Sequence, residues 1–202
     1  MAPNQNRAGF LSLNRGTFRK LPVLIVAIAS VPGSALWAQE SVTKNTVPVN
    51  TVVATVSVGS LPFGVVVSPD NKSVYTANNG DGTVSVINAA TNTVQTTISA
   101  GSAPAELAIS SDSSKLYVSN EVRSGSVTVI DLANGNSVQT IKRVGTTPFG
   151  LALTPDGSQL WVADFGGNAV KVVDTSTNTV ISSIAVGTHP SFITFTPDGQ
   201  KA

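Results

Sequence analysis

Val144-Gly145-Thr146-Thr147-Pro148-Phe149-Gly150-Leu151-Ala152-Leu153-Thr154-Pro155-Asp156-Gly157 decides the fold, because the chain writes this frame four times. Its counterparts open with Val58-Gly59-Ser60-Leu61-Pro62-Phe63-Gly64, Ala100-Gly101-Ser102-Ala103-Pro104 and Val186-Gly187-Thr188-His189-Pro190. The prolines Pro62, Pro104, Pro148 and Pro190 are spaced 42, 44 and 42 residues apart. Seven residues after each stands Pro69-Asp70, Ser111-Asp112, Pro155-Asp156 or Pro197-Asp198. Tyr75, Tyr117 and Trp161 keep the same offsets, as do Asn78, Asn120 and Asp164. A repeat of 40–45 residues with four strand signals per unit predicts a β-propeller blade.

The four strands of each unit, a to d, are separated by turn residues. Strand a is Phe63–Ser68, Leu107–Ser110, Leu151–Thr154 and Ile193–Thr196. Strand b is Val74–Ala77, Leu116–Ser119 and Leu160–Ala163; strand c is Val84–Ile87, Val127–Ile130 and Val170–Val173. Strand d is Val52–Val56, Val94–Ile98, Val138–Ile141 and Val180–Ile184. Runs such as Val65-Val66-Val67 predict an inner strand buried on both faces. Strand d alternates with polar residues such as Gln95 and Thr97, which places it near solvent. Pro155-Asp156-Gly157 reads as a type I turn between a and b, and Asn79-Gly80-Asp81-Gly82 as a tight b–c hairpin. Asn88, Asp131 and Asp174 end strand c, where a short side chain bonds the backbone of the next turn.

The fold class predicted is therefore all-β: four-stranded antiparallel blades, three of them complete (about 62–100, 104–144 and 148–186). A lone outer strand opens the series and a lone inner strand closes it. Closed propellers use about four to eight blades. The expectation is a ring truncated at its C-terminus, whose last blade the leading d strand would complete. The alternative is self-association of chains to complete the ring.

The b-strand tetrads Tyr75-Thr76-Ala77-Asn78, Tyr117-Val118-Ser119-Asn120 and Trp161-Val162-Ala163-Asp164 resemble the YVTN family of bacterial and archaeal β-propeller repeats. The resemblance covers residues 50–202 and implies the propeller fold. That family includes exported proteins and surface-layer components, and related propellers include lactonases. Departures are Trp161 for the tyrosine, Asp164 for the asparagine, and Glu106 where Gly64 and Gly150 stand.

Residues 1–38 differ from the rest. Arg7, Arg15, Arg19 and Lys20 precede an apolar run from Leu21 to Ala29, then Pro32, Gly33 and small residues. This is the layout of a secretory signal peptide, with cleavage after Ala35 or Ala38. The run falls short of the roughly 20 apolar residues a spanning helix needs. No stable membrane span is expected after cleavage. Residues 39–48 read as a linker and 49–202 as the partial propeller. The expected location is the periplasm or the cell exterior. Processing leaves eight basic against eleven acidic side chains, a net charge of −3. That excludes the basic stripe a nucleic-acid binder needs; Lys142-Arg143 is an isolated pair. The chain has no Cys, so it forms no disulfide or thiolate metal site.

In a propeller the d–a and b–c connections share one face. Candidate binding residues there are Phe63, Asn78, Glu106, Phe149 and His189. Phe63 and Phe149 would make an aromatic rim or plug the gap between blades. His189, the sole histidine, has the chemistry of a general base, but no nucleophile is placed with it, so it reads as a surface-loop residue. Glu106, Asn120 and Asp164 are hard oxygen donors from neighbouring blades and would suit Ca²⁺ in a lactonase-like site; alternatively, Asn120 and Asp164 serve the turns after strand b. No phosphate loop, dinucleotide fingerprint, zinc signature or nucleophile elbow is present, and no residue is assigned a catalytic role. The leading expectation is a non-catalytic exported module, without cofactor, presenting its axial face to a protein or glycan partner. A metal-assisted lactonase-like hydrolase and a surface-layer structural repeat are the alternatives.

Overall fold

The computed structural model describes residues 51–202; the signal segment and the linker lie outside them. Twelve strands form three four-stranded antiparallel sheets, each a blade built in chain order. Blade 1 holds β1 (Pro62–Val67), β2 (Ser73–Asn78), β3 (Thr83–Asn88) and β4 (Thr93–Ser99). Blade 2 holds β5 (Pro104–Ile109), β6 (Lys115–Asn120), β7 (Gly125–Asp131) and β8 (Ser137–Gly145). Blade 3 holds β9 (Pro148–Leu153), β10 (Gln159–Asp164), β11 (Ala169–Asp174) and β12 (Thr179–Ala185), with one 3-10 turn over Phe165–Gly167. This is the predicted all-β propeller of four-stranded blades. Among the described residues no helix is long and apolar enough to cross a membrane.

The turns follow from the residues that make them. Gly157 N–H donates to Thr154 O at 2.8 Å, closing the Thr-Pro-Asp-Gly turn, and Gly157 has φ +71°. Asn71 and Ser113 take the same left-handed conformation at the same place in their units. At the c–d turns Asn88 Oδ1 accepts the N–H groups of Ala90 and Thr91. Asp131 and Asp174 do likewise for the residues two and three further on.

Blade-to-blade packing supplies the core. Tyr75, Ala77, Val84 and Val86 of blade 1 meet Leu107, Leu116, Val118 and Ile130 of blade 2. Tyr117, Val127, Val129 and Ile141 of blade 2 meet Leu160, Val162 and Val173 of blade 3. A strand's alternation points successive side chains to opposite neighbours, so b and c are apolar on both faces. Each fully buried Val, Leu or Ile contributes about 1.5–3 kcal/mol.

The inner strands correct one expectation. In the middle blade β5 is buried along both faces, as expected and as strands b and c are, whereas β1 leaves Val65 48% and Val67 39% exposed. These two side chains point away from blade 2, and among the described residues no sheet packs on that side. The outer strands are exposed almost throughout, as their place near solvent predicts. The flanking segments 52–56 and 193–196 join no ladder. A segment becomes a strand only when its backbone groups find partners, and among the described residues neither has a neighbouring b or c strand. The trailing segment nevertheless lies where a fourth inner strand would: Gly150 N–H donates to Ser191 O at 3.0 Å, and Phe195 meets Trp161 edge to face at 5.1 Å.

Candidate functional site at the axial end of the blades

One irregularity, repeated in every blade, builds the site. Pro62 pairs with Asn78, but the next ladder pair is Val65 with Thr76: three steps on β1 against two on β2. The same bulge separates Pro104 from Leu107 on β5 and Pro148 from Leu151 on β9. The bulged residues are Phe63 and Gly64, Ala105 and Glu106, Phe149 and Gly150. A bulge re-aims side chains away from the pleat. Hydroxyls absorb the freed backbone groups: Thr76 Oγ1 donates to Gly64 O at 3.0 Å, and Glu106 N–H donates to Ser119 Oγ at 3.0 Å.

The bulges bring aromatic rings together. Phe63 and Phe149 meet edge to face with centroids 5.5 Å apart, and Phe149 meets Phe192 at 5.6 Å in the same manner. The blade 2 counterpart, Ala105, carries only a methyl group, so rings from blades 1 and 3 reach each other across it. Phe63 is 53% and Phe192 71% exposed.

Glu106 lies beside this cluster on the middle inner strand. A Cβ at Gly64 would come 3.0 Å from Glu106 Oε2, so the absent side chain of one blade makes room for the carboxylate of the next. Burial pushes the Glu106 carboxyl above its usual range, and a hydrogen bond from the Leu107 backbone N–H offsets part of that. The ion pairs among the described residues, Lys72 with Asp70 and Lys171 with Asp164, leave Glu106 without a cation.

The residues ending strand b are deeply buried and turned to their own blades. Asn78 Nδ2 donates to Thr83 Oγ1 and Ser85 Oγ at 2.9 Å each; Asn120 Nδ2 donates to Ser126 Oγ and Thr128 Oγ1. Their Oδ1 atoms are buried without a partner. Asp164 Oδ1 instead accepts the N–H groups of Thr146, Thr147 and Gly167, and Lys171 Nζ stands 3.9 Å from Oδ2. Where a strand b follows, the glycine of the d–a loop presses on this side chain: a Cβ at Gly101 would lie 3.1 Å from Asn120, and those at Gly59 and Gly145 would collide with Asn78 and Asp164. The set Glu106, Asn120 and Asp164 does not fit Ca²⁺, which takes six to eight oxygens, because Asp164 already serves three N–H groups and a lysine. Among the described residues no group of three or more His, Asp or Glu is placed to hold a metal ion.

His189 belongs to the rim. Its backbone is left-handed (φ +54°), its N–H donates to Asn168 Oδ1 at 3.0 Å, and its ring stacks on Phe165 at 4.5 Å. Ser191 Oγ donates to the backbone oxygen of His189, so hydroxyl and imidazole form no nucleophile–base pair.

Repeated blades with an axial cluster are the geometry of a propeller, and a model of YNCE-like β-propellers matches residues 29–165. The chain belongs to the YNCE-like β-propeller family. This propeller resembles Kuenenia stuttgartiensis hydrazine synthase at TM-score 0.65 and 29% identity, over 75% of this chain and 44% of that one. It resembles a functionally unknown protein of Desulfotomaculum acetoxidans at TM-score 0.60 and 21% identity, over 68% and 46%. A candidate 6-phosphogluconolactonase of Bacteroides fragilis aligns at TM-score 0.59 and 23% identity, over 69% and 43%. The YNCE-like chain thus spans less than half the length of these structures. No curated protein matches it.

Two partners in this propeller escaped the reading of its sequence. Phe192 occupies the place of Gly64, Glu106 and Gly150 in the repeat frame, and that alignment marks it as a departure facing the axis. Lys171 occupies the place of Ser85 and Thr128; lysine replaces a hydroxyl where Asp164 replaces an asparagine.

Proposed function

We propose that this YNCE-like propeller is an exported binding module with YVTN-type repeats, which presents its axial face to a protein or glycan partner. One observation carries the reading: an aromatic cluster in which exposed Phe63 and Phe192 flank half-buried Phe149, beside the unpaired half-buried carboxylate of Glu106. The rings pack against one another yet leave Phe63 and Phe192 more than half exposed, and Glu106 departs from the repeat. Exposed apolar groups gathered beside a perturbed charge mark interaction sites. Export is supported by the basic, apolar and small-residue succession of residues 7–38.

The test attaches a photo-cross-linker at Thr147 on the axial rim and at Asn134 on an outer turn, in the native host. Cross-links from Thr147 that are absent from Asn134 and lost in Phe63→Ala/Phe149→Ala support the reading. Equal cross-linking from both positions overturns it. A lactonase-like reading has one observation in its favour, the raised Glu106 carboxyl, which suits general acid–base work. Lactone hydrolysis that survives Glu106→Gln unchanged removes it.

A further inference from the structure

We infer that the axial cluster recognises an ammonium group, presented as a lysine side chain by a protein partner. The inference rests on the axial face being the binding surface.

Three features select that chemistry. Phe63 and Phe192 keep more than half of their surface open, which leaves ring area for a cation to approach. An ammonium group is attracted to an aromatic face, and a desolvated site strengthens the attraction. Glu106 projects from the inner strand between those that carry Phe63 and Phe149, and among the described residues it has no cationic partner. A ligand that brings the positive charge satisfies it. A neutral sugar needs several convergent donors and acceptors, and the cluster supplies one carboxylate. An anion meets repulsion.

The shape selects the source. A small ligand needs a cavity that buries most of its surface. Two shallow, open hollows among the described residues lie elsewhere, one against Ser57 and Thr97, the other between the Asp156 and Asp198 turns, and neither touches the rings. The rings themselves sit open at the end of the blades. A lysine delivered on a protein surface gains its remaining contacts from the surrounding loops, where Ser60, Ser102 and Thr146 stand at the equivalent position of three d–a connections. The charge of −3 on the processed chain favours a basic partner at long range.

The test is an NMR titration of the processed protein with a Gly-Gly-Lys-Gly-Gly peptide, followed through the ring signals of Phe63, Phe149 and Phe192. The comparison probes are the trimethyllysine peptide, its neutral tert-butyl isostere, and choline. Both cationic peptides are expected to shift the three rings saturably and to bind at least tenfold more tightly than the isostere. Glu106→Gln, which preserves shape, is expected to weaken them at least fivefold, with its amide spectrum checking the fold. Equal binding of the isostere, or an unchanged affinity in Glu106→Gln, overturns the ammonium assignment. Choline binding as tightly as the peptides overturns the protein source. Ring signals that ignore every probe, while Thr147 cross-linking persists, sink this inference and leave the binding-module reading standing.

Discussion

Phe63 and Phe149, separated in the chain by the whole of the second blade, meet edge to face with ring planes 82° apart. Neither belongs to a regular ladder pair; each is the first residue of a bulge. Phe149 holds the centre, since its ring also meets Phe192.

Phe149→Ala is expected to cost about 2 kcal/mol, because it removes two aromatic contacts of about 0.5–1.5 kcal/mol each together with partial burial. Phe192→Ala removes one contact from a ring that is 71% exposed and is expected to cost less than about 1 kcal/mol. Urea unfolding compares them. Equal costs would show that the cluster is not packed around Phe149.

Glu106 has a folded-state pKa raised above its ordinary value, so its charged form is the penalised one. Its share of stability is full below the ordinary glutamate range and declines as pH rises through the folded pKa. Glu106→Gln is therefore expected to be at least as stable as the parent at pH 7, with no advantage at pH 4. Thermal melts at the two pH values decide; a variant less stable at pH 7 would mean that the carboxylate has a favourable partner.

The a–b turns give the opposite sign. Asp112 is lowered to about 2, first by the Ser110 hydroxyl and then by the backbone N–H of Ser114. The hydroxyls of Ser68, Thr154 and Thr196 lead the lowering of Asp70, Asp156 and Asp198. A depressed carboxyl contributes stability above its unfolded value and loses it as pH falls through the folded one. Acid destabilisation is expected between about pH 4 and pH 2. Ser110→Ala should move Asp112 back toward 3.8, which a carboxyl NMR titration reads directly; an unmoved titration would contradict the assigned cause.

Asp164 and Lys171 form the charged version of a pairing that is Asn78 with Ser85 and Asn120 with Thr128 elsewhere. Asp164→Asn keeps the Oδ1 acceptor of Thr146, Thr147 and Gly167 but removes the charge that strengthens those bonds and turns an amide donor toward Lys171, and is expected to cost about 1–3 kcal/mol. Lys171→Thr removes one partner of four and should cost less. Denaturant unfolding of both singles and the double measures the coupling; additive costs would show that lysine and aspartate act independently.

Much of this was legible beforehand because the repeat encodes local geometry. Val84 to Ile87 has the β-branched residues a strand favours, Thr154-Pro155-Asp156-Gly157 folds on itself, and Asn88 bonds backbone two and three residues away. Blade number and strand order followed from those short-range signals. Phe63, Glu106 and Phe149 stood out against the repeat, but their meeting did not. It depends on a one-residue bulge in each inner strand and on Ala105 being too small to intervene.

The sequence by itself determined the strands, the turns and their grouping into three blades, because each is closed by hydrogen bonds between residues near in the chain. Tertiary structure alone decided which inner-strand residues share the axis, why Val65 and Val67 face solvent, and why 52–56 and 193–196 remain outside the ladders. Those outcomes depend on what packs against a strand from another blade, and a residue's own alternation carries no record of that neighbour.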